Sequence, residues 1–168
     1  EHARLAEAFA AQAAIAIENA RLYQASQAHA GQLEAQNLEL RKLTLAIEQS
    51  GSIIEITDAA GLIQYVIPRF VEVTGYTARE MLGQNHNRLY SGEQDANFYR
   101  VLWDTIRSGQ IWRGEFRNRR KDGELIWEVA SISPVKNELG EVTNFVEIKE
   151  DITKQKAIEE QLNRTQQL

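Results

Sequence analysis

The chain has 168 residues, a net charge of −5 and 43% hydrophobic residues, which predicts one folded domain with accessory segments. It contains no cysteine, and this excludes disulfides, thiolate catalysis and cysteine-based zinc sites. No apolar run approaches the ~20 residues of a membrane span, and no signal peptide is recognisable. The acidic balance gives no reason to expect nucleic acid or a membrane as a partner. We expect a cytoplasmic fragment of a longer chain, since a helical pattern is already present at Glu1.

Residues 1 to about 48 are predicted to form one long helix, because they lack proline and are rich in Ala, Leu, Glu and Gln. A seven-residue repeat predicts a coiled-coil seam that is firmest from Leu33 through Leu40 to Ile47. Asn37 lies in the companion row, where it could fix the register of two parallel helices. A helix of ~70 Å is too long to pack wholly on one small domain, so we expect a homodimer. The alternatives are that this helix packs on its own domain or that it is a frayed linker.

After Gly51 the pattern changes from helical to alternating. Two strands are predicted over 52–57 and 62–67, with a turn over 58–61 between them. A short helix follows from Pro68 to a stop at Gly75, and a second, with a Thr77–Glu80 capping box, ends at Gly83. An irregular stretch over 84–92 leads to a helix over 93–108.

Three more strands are predicted over 111–121, 124–135 and 141–149, with a hairpin signal at residues 121–123. Asp151 is a natural N-cap for an amphipathic helix that continues to the end of the chain. The predicted order is therefore a long helix, two strands, short helices, three strands and an exit helix.

Many short phrases of this chain occur in the order of one known family. They are Ile56-Thr57-Asp58, Val73-Thr74-Gly75-Tyr76, Glu80-Met81-Leu82-Gly83-Gln84-Asn85, Trp112-Arg113-Gly114-Glu115, Lys121-Asp122-Gly123 and Glu150-Asp151-Ile152-Thr153. With them, the stretch from Leu43 to Thr153 strongly resembles a PAS domain of the bacterial sensor type with its PAC segment. Separately, Leu5 to Tyr23 resembles the last helix of a GAF domain.

The resemblance implies an α+β fold with a five-stranded antiparallel sheet, short flanking helices and a ligand cavity between the sheet and the helices. It implies a non-catalytic sensory and dimerisation module over 49–150, preceded by a linker helix over 1–48 and followed by an output helix over 151–168. Asp151, Ile152 and Thr153 resemble the family's junction with its output helix. The effector would be a histidine kinase or a cyclic-dinucleotide enzyme.

The resemblance leaves the cavity chemistry open. Light-sensing flavin relatives carry a reactive cysteine where this chain has His86, so covalent thiol–flavin photochemistry is impossible. Relatives that hold FAD non-covalently resemble this chain at Trp103, Trp112 and Asn118. Relatives without flavin carry the same two tryptophans, so we expect both to be core residues. His86 could be a haem ligand, but haem-binding relatives usually carry that histidine on the long helix, which has none here. No two histidines are placed to form a metal site.

Alignment with flavin-binding relatives points Asn118, Glu128 and Lys149 into the cavity. A Glu–Lys pair there suits a polar ligand, ordered water or a site without ligand, and it suits FAD or FMN less well. The alternative is a wrong face assignment that leaves both charges in water. The same assignment turns Trp127, Val129, Val146 and Ile148 to the outer face, where the helix around Leu40–Ile47 of the same or a partner chain is expected to cover them.

Functions of other classes have less support. An enzyme needs a nucleophile with its base or a paired acid and base at a pocket, and the sequence shows no such constellation. A nucleic-acid surface could use Arg117, Arg119, Arg120 and Lys121, which read more simply as a solvated strand face and turn. Between a sensor of a small molecule and a relay without ligand, the sequence does not decide.

Overall fold

The computed structural model describes residues 2–166, which divide into two compact units after Ala46. The first unit is formed by helix α1, His2–Glu48, in which no residue is buried. The predicted long helix is therefore confirmed over its described residues, and Leu33, Leu40 and Ile47 are exposed along it. None of the described helices is long and apolar enough to cross a membrane.

The second unit contains the predicted five-stranded antiparallel sheet. Its strands are β1 Ile53–Asp58, β2 Ile63–Val66, β3 Trp112–Arg119, β4 Leu125–Lys136 and β5 Val142–Asp151, in the spatial order β2-β1-β5-β4-β3. Each predicted strand end lies within two residues of the observed one. The first and last strands of the chain pair at the centre of the sheet, so side chains from distant parts of the sequence meet on its inner face.

The remaining helices are α2 Pro68–Thr74, α3 Ala78–Met81, α4 Ala96–Arg107 and α5 Thr153–Gln166, and a single 3-10 turn lies at His86–Leu89. The capping box at Thr77 and Glu80 is present, and Gly75 ends α2 with a φ of 77° that favours glycine. The predicted start of α4 at Glu93 is wrong. The carboxylate of Asp95 caps the helix by accepting from the N–H of Phe98, so α4 begins at Ala96.

The predicted N-cap at Asp151 is also wrong. Asp151 is the last residue of β5 and pairs with Glu128, so the helix α5 begins two residues later at Thr153. The side chain of Asp151 still accepts from the backbone N–H of Thr153 at 3.0 Å. Whether the helix continues to Leu168, as predicted, lies outside the described residues.

The core lies between the inner face of the sheet and the short helices, in two clusters. One contains Ile53, Ile63, Val66, Phe70, Val73, Met81, Leu89 and Ile126, and the other contains Leu102, Ile106, Trp112, Phe116, Ala130, Ile132 and Phe145. Burial of these side chains supplies the main stabilising contribution. Charged and polar side chains lie on the same inner face of the sheet.

Candidate functional site

The inner face of the sheet contains charged residues that are fully removed from water. Strand register places Glu55 of β1 directly opposite Glu147 of β5, and Lys149 lies two residues farther along β5 on the same face. Glu128 of β4 completes the group, and all four are at most 4% exposed. With His86 of the 3-10 turn they form what we call the interior charged cluster.

Lys149 is the positive centre of this cluster. Its Nζ lies 3.8 Å from Oε2 of Glu128, 3.8 Å from Oε1 of Glu147 and 3.9 Å from Oε1 of Glu55. The ammonium also lies 5.7 Å from the centre of the Phe70 ring. Burial opposes the charged form, but the carboxylates of Glu128, Glu147 and Glu55 outweigh it and raise the pKa of Lys149. The side chain therefore stays charged inside the core.

His86 reaches the cluster from the opposite side. Its 3-10 turn is held next to the start of β2, because the N–H of His86 donates to the carbonyl of Gly61 in the preceding turn at 3.3 Å and Asn85 caps the 3-10 turn. Nδ1 of His86 contacts Oε1 of Glu55 and lies 3.4 Å from Oε2 of Glu147. Burial lowers the pKa of His86, but the neighbouring carboxylates outweigh this effect and raise it overall.

The two carboxyl groups that face His86 differ in acidity. Burial, together with the charge of Glu55, raises the pKa of Glu147 to about 8 despite the nearby His86 and Lys149. Burial acts in the same direction on Glu55, but there the charges of His86 and Lys149 prevail and hold its pKa well below its usual range. Two like charges this close do not both ionise easily, so the pair keeps one proton near neutral pH.

Asn118 and Glu128 are joined by a buried hydrogen bond. Nδ2 of Asn118 donates to Oε2 of Glu128 at 2.6 Å, and Asn118 is 2% exposed. Asn118, Glu128 and Lys149 are buried on the inner face as predicted, but they are not among the residues that line the cavity. A role for them in cofactor binding stays a prediction. The alternative in which both charges remain in water is wrong, because strand alternation turns them inward.

A small cavity adjoins the cluster between α4 and the sheet. It offers about 30 Å³ to water-sized molecules, enough for on the order of two waters. Its lining includes Thr57, Gly61, His86, Tyr90, Trp103, Phe145 and Glu147. The rings of Tyr90 and Tyr99 stack at 3.9 Å beside it, and burial raises the pKa of Tyr99 to about 12.

The residues present do not fit a flavin. Ligand sites for molecules of that size occupy roughly 300 Å³ or more, about ten times the space available here. Trp103 fills the position beside Gly61, where an added Cβ would lie 2.8 Å from its ring, and Trp112 packs in the apolar core. The amide nitrogen of Asn118 is occupied by Glu128. A haem ligated by His86 meets the same shortage of space.

Sequence reasoning missed Glu55 and Glu147 as members of the site. The available signal was strand alternation: Glu147 shares a face with Lys149, and Glu55 shares a face with Ile53 and Thr57. Their ligand atoms and that of His86 lie within 4.8 Å of one another, an arrangement that could hold a metal ion. Only the register between β1 and β5 brings the two carboxylates together.

The junction with α5 is clamped to the backbone of Trp127. The N–H of Ile152 donates to the carbonyl of Trp127 at 2.8 Å, and the N–H of Trp127 donates to Oγ1 of Thr153 at 3.0 Å. Oγ1 of Thr153 in turn donates to Asp151 at 2.6 Å. Farther along α5, Lys156 pairs with Glu115 of β3 at 2.7 Å. Both peptide groups of Trp127 thus hold the start of α5.

The outer face of the sheet is apolar and partly exposed, as alternation predicts. Val129 is 36% and Ile148 is 44% exposed, and Trp127 and Val146 are partly buried. The guanidinium of Arg117 and the ammonium of Lys156 lie 5.3 and 5.5 Å from the ring of Trp127. That the linker helix covers this face stays a prediction.

Comparison with known proteins identifies relatives of this chain. Residues 63–148 match a family model described as the PAS fold. A nitrogen fixation regulatory protein of Klebsiella oxytoca is 34% identical over 116 residues, which are 69% of this chain and 23% of that protein. A hybrid signal transduction histidine kinase of Dictyostelium discoideum is 33% identical over 127 residues, 76% of this chain and 7% of that protein. The chain thus spans less than a quarter of the length of these relatives.

Among solved structures, an RNA-binding light-oxygen-voltage receptor superposes with a TM-score of 0.69 at 29% identity. The match covers 79% of this chain and 38% of the receptor. It supports the α+β architecture of a five-stranded antiparallel sheet with flanking helices.

Proposed function

The chain belongs to the PAS family, and from that premise we propose that it is a sensory and dimerisation module that relays changes in its interior charged cluster to α5. Domains of this family are typically non-catalytic sensory modules, and a histidine kinase is among the relatives of this chain. The effector in our proposal follows α5 and is a histidine kinase or a cyclic-dinucleotide enzyme. We keep a cytoplasmic location, a GAF-type helix before the module and a homodimer with coiled-coil helices at both ends as parts of the proposal.

The observation that carries the proposal is the position of the dipeptide Trp127-Glu128. The side chain of Glu128 faces inward and meets Lys149, while both backbone groups of Trp127 hold Ile152 and Thr153. A change of charge or position at Glu128 therefore acts one residue away from the start of α5. A relay needs two packings of such an element with different outputs, and a clamp of two hydrogen bonds can break or shift.

The small volume of the cavity favours a module that holds a small polar ligand, water or no ligand at all. A flavin-binding redox sensor, our alternative, needs an interior several times larger than the one present. We do not extend RNA binding from the structural neighbour to this chain, because a net charge of −5 does not favour binding to a polyanion.

The relay is tested by changing the cluster and measuring the junction. Glu128→Gln keeps the shape of the side chain and removes its charge, and the matched control Glu150→Gln makes the same change at an exposed position of β5. We expect Glu128→Gln to speed amide hydrogen exchange at Ile152 and Thr153 by at least about tenfold, which equals ~1.4 kcal/mol. If exchange at these amides is the same in both variants, the cluster does not communicate with α5 and the proposal fails.

A second arm tests dimerisation. Sedimentation equilibrium of the whole 168-residue chain should give a dimer, and removal of α1 should weaken it. A chain that stays monomeric at high concentration would contradict the dimeric part of the proposal and leave the relay within one chain intact.

A further inference from the structure

We propose that Glu55, His86 and Glu147 form a binding site for a divalent transition-metal ion of the zinc class in the interior of the module. Their three ligand atoms lie within 4.8 Å of one another, and all three residues are buried. They come from β1, the 3-10 turn and β5, so the fold, and not one local segment, assembles the set.

Apart from the contact of His86 with Glu55 and the ion-pair approaches of His86 and Lys149 to these carboxylates, the polar atoms at this point have no partner among the described residues. Both oxygens of Glu55, Oε1 of Glu147 and Nδ1 of His86 make no hydrogen bond of normal geometry within the part of the chain that the structure describes. A buried acceptor without a partner is destabilising, so several of them at one place call for a bound group. One imidazole proton satisfies one carboxylate oxygen, whereas a cation at the centre satisfies all of the ligands at once.

The charge of the interior points in the same direction. A divalent ion would displace the protons that His86 and Glu147 hold in its absence. The three carboxylates of Glu55, Glu128 and Glu147 and the ammonium of Lys149 would then leave two negative charges, which equal the charge of the ion. Nζ of Lys149 stays 3.8 to 3.9 Å from the carboxylate oxygens, beyond hydrogen-bond distance, so it balances charge without occupying the ligand atoms. It would act as an outer partner that orients Glu55 and Glu147.

The donor set selects the class of ion. One imidazole nitrogen with two carboxylate oxygens suits zinc and its first-row neighbours, whereas magnesium and calcium prefer oxygen ligands alone. Three protein ligands leave a coordination position open, and the adjoining cavity, lined by His86 and Glu147, has space for on the order of two waters there. The side chain of His86 is 10% exposed, which gives an ion a short path from solvent.

The test is a titration of the metal-free chain with Zn²⁺ by calorimetry after dialysis against a chelator. We expect one equivalent per chain, and we expect Mg²⁺ in excess not to compete. Glu147→Gln and His86→Asn should each weaken binding by more than ~100-fold, since loss of a ligand costs more than loss of an outer partner. The double variant His2→Asn/His29→Asn removes the other two histidines, both on α1, and should bind like the wild type.

The wild-type chain alone also decides the question if a variant fails to fold. The sequence contains three histidines. In NMR spectra, Zn²⁺ should shift the imidazole resonances of His86 and leave those of His2 and His29 unchanged. Loss of binding in His2→Asn/His29→Asn, unchanged binding in Glu147→Gln, or resonance shifts confined to α1 would each overturn the inference. The site does not depend on the relay, so a failure here leaves the proposed function standing.

Discussion

The substitution Lys149→Met tests most directly what holds the interior charged cluster together. Nζ lies 3.8 to 3.9 Å from oxygens of Glu55, Glu128 and Glu147. At these distances an ion pair with an effective dielectric constant of ~20 is worth about 4 kcal/mol. The cost of burying the ammonium offsets much of this gain, and removal of one partner from a buried pair typically costs about 3–5 kcal/mol.

We therefore expect Lys149→Met to lower the free energy of unfolding by about 3–5 kcal/mol, or the melting temperature by roughly 10–20 °C. Urea unfolding followed by circular dichroism, with a chelator present, measures it. The matched control Lys156→Met removes an ammonium from a partly exposed pair with Glu115 and should cost no more than about 1 kcal/mol. Adding Glu128→Gln to Lys149→Met should recover part of the loss, because one unpaired carboxylate is then neutral.

Two results would refute this reasoning. The first is a loss for Lys149→Met no larger than that of Lys156→Met, which would mean that water reaches the cluster and screens its charges. The second is full additivity of Glu128→Gln and Lys149→Met, since residues in one ion-pair network are expected to couple by about 0.5–3 kcal/mol.

Three further predictions concern the junction, the outer face and the cavity. Thr153→Val removes the acceptor of the Trp127 N–H, so it should cost about 1 kcal/mol and speed hydrogen exchange in the first turn of α5; unchanged exchange would show that the clamp does not hold the helix. Trp127→Ala should lower the free energy of unfolding by about 1 kcal/mol, because its cation–π contacts are lost, and it should also lower dimer affinity. A variant that is unchanged in both would contradict the prediction that a helix covers the outer face. Protein purified without added cofactor should be colourless by its absorption spectrum, and it should bind neither FAD nor haem on incubation with them. A bound flavin band would show that the interior opens far beyond its present volume.

Local signals in the sequence predicted most of the fold. The capping box at Thr77 and Glu80, the stop at Gly75 and the alternation in β3 act over a few residues, so they can be recognised without any tertiary contact. The two misplaced helix starts show where such signals compete. Glu93 and Asp151 precede their helices as acidic residues should, but Asp95 forms the cap of α4 and the pairing with β4 keeps Asp151 in the sheet.

The candidate site was only half predictable for the same reason. Strand alternation turned Asn118, Glu128 and Lys149 inward, and the structure confirms that orientation. It did not reveal that Glu55 and His86 are their neighbours, because a face assignment says nothing about which strand lies beside which. Trp103 and Trp112, which resemble flavin contacts by position, are explained by packing beside Gly61 and in the apolar core.

The sequence by itself determined the order of the elements, their caps and turns, the direction of each strand's polar face and the resemblance to a sensory family. The tertiary structure decided which charges meet. The antiparallel register of β1 with β5 places Glu55 opposite Glu147, and the hydrogen bond of the 3-10 turn to Gly61, just before β2, brings His86 to both. Contacts of this kind depend on strand pairing between distant parts of the chain, and the electrostatic energy of a buried charge depends on distances that only such pairing sets.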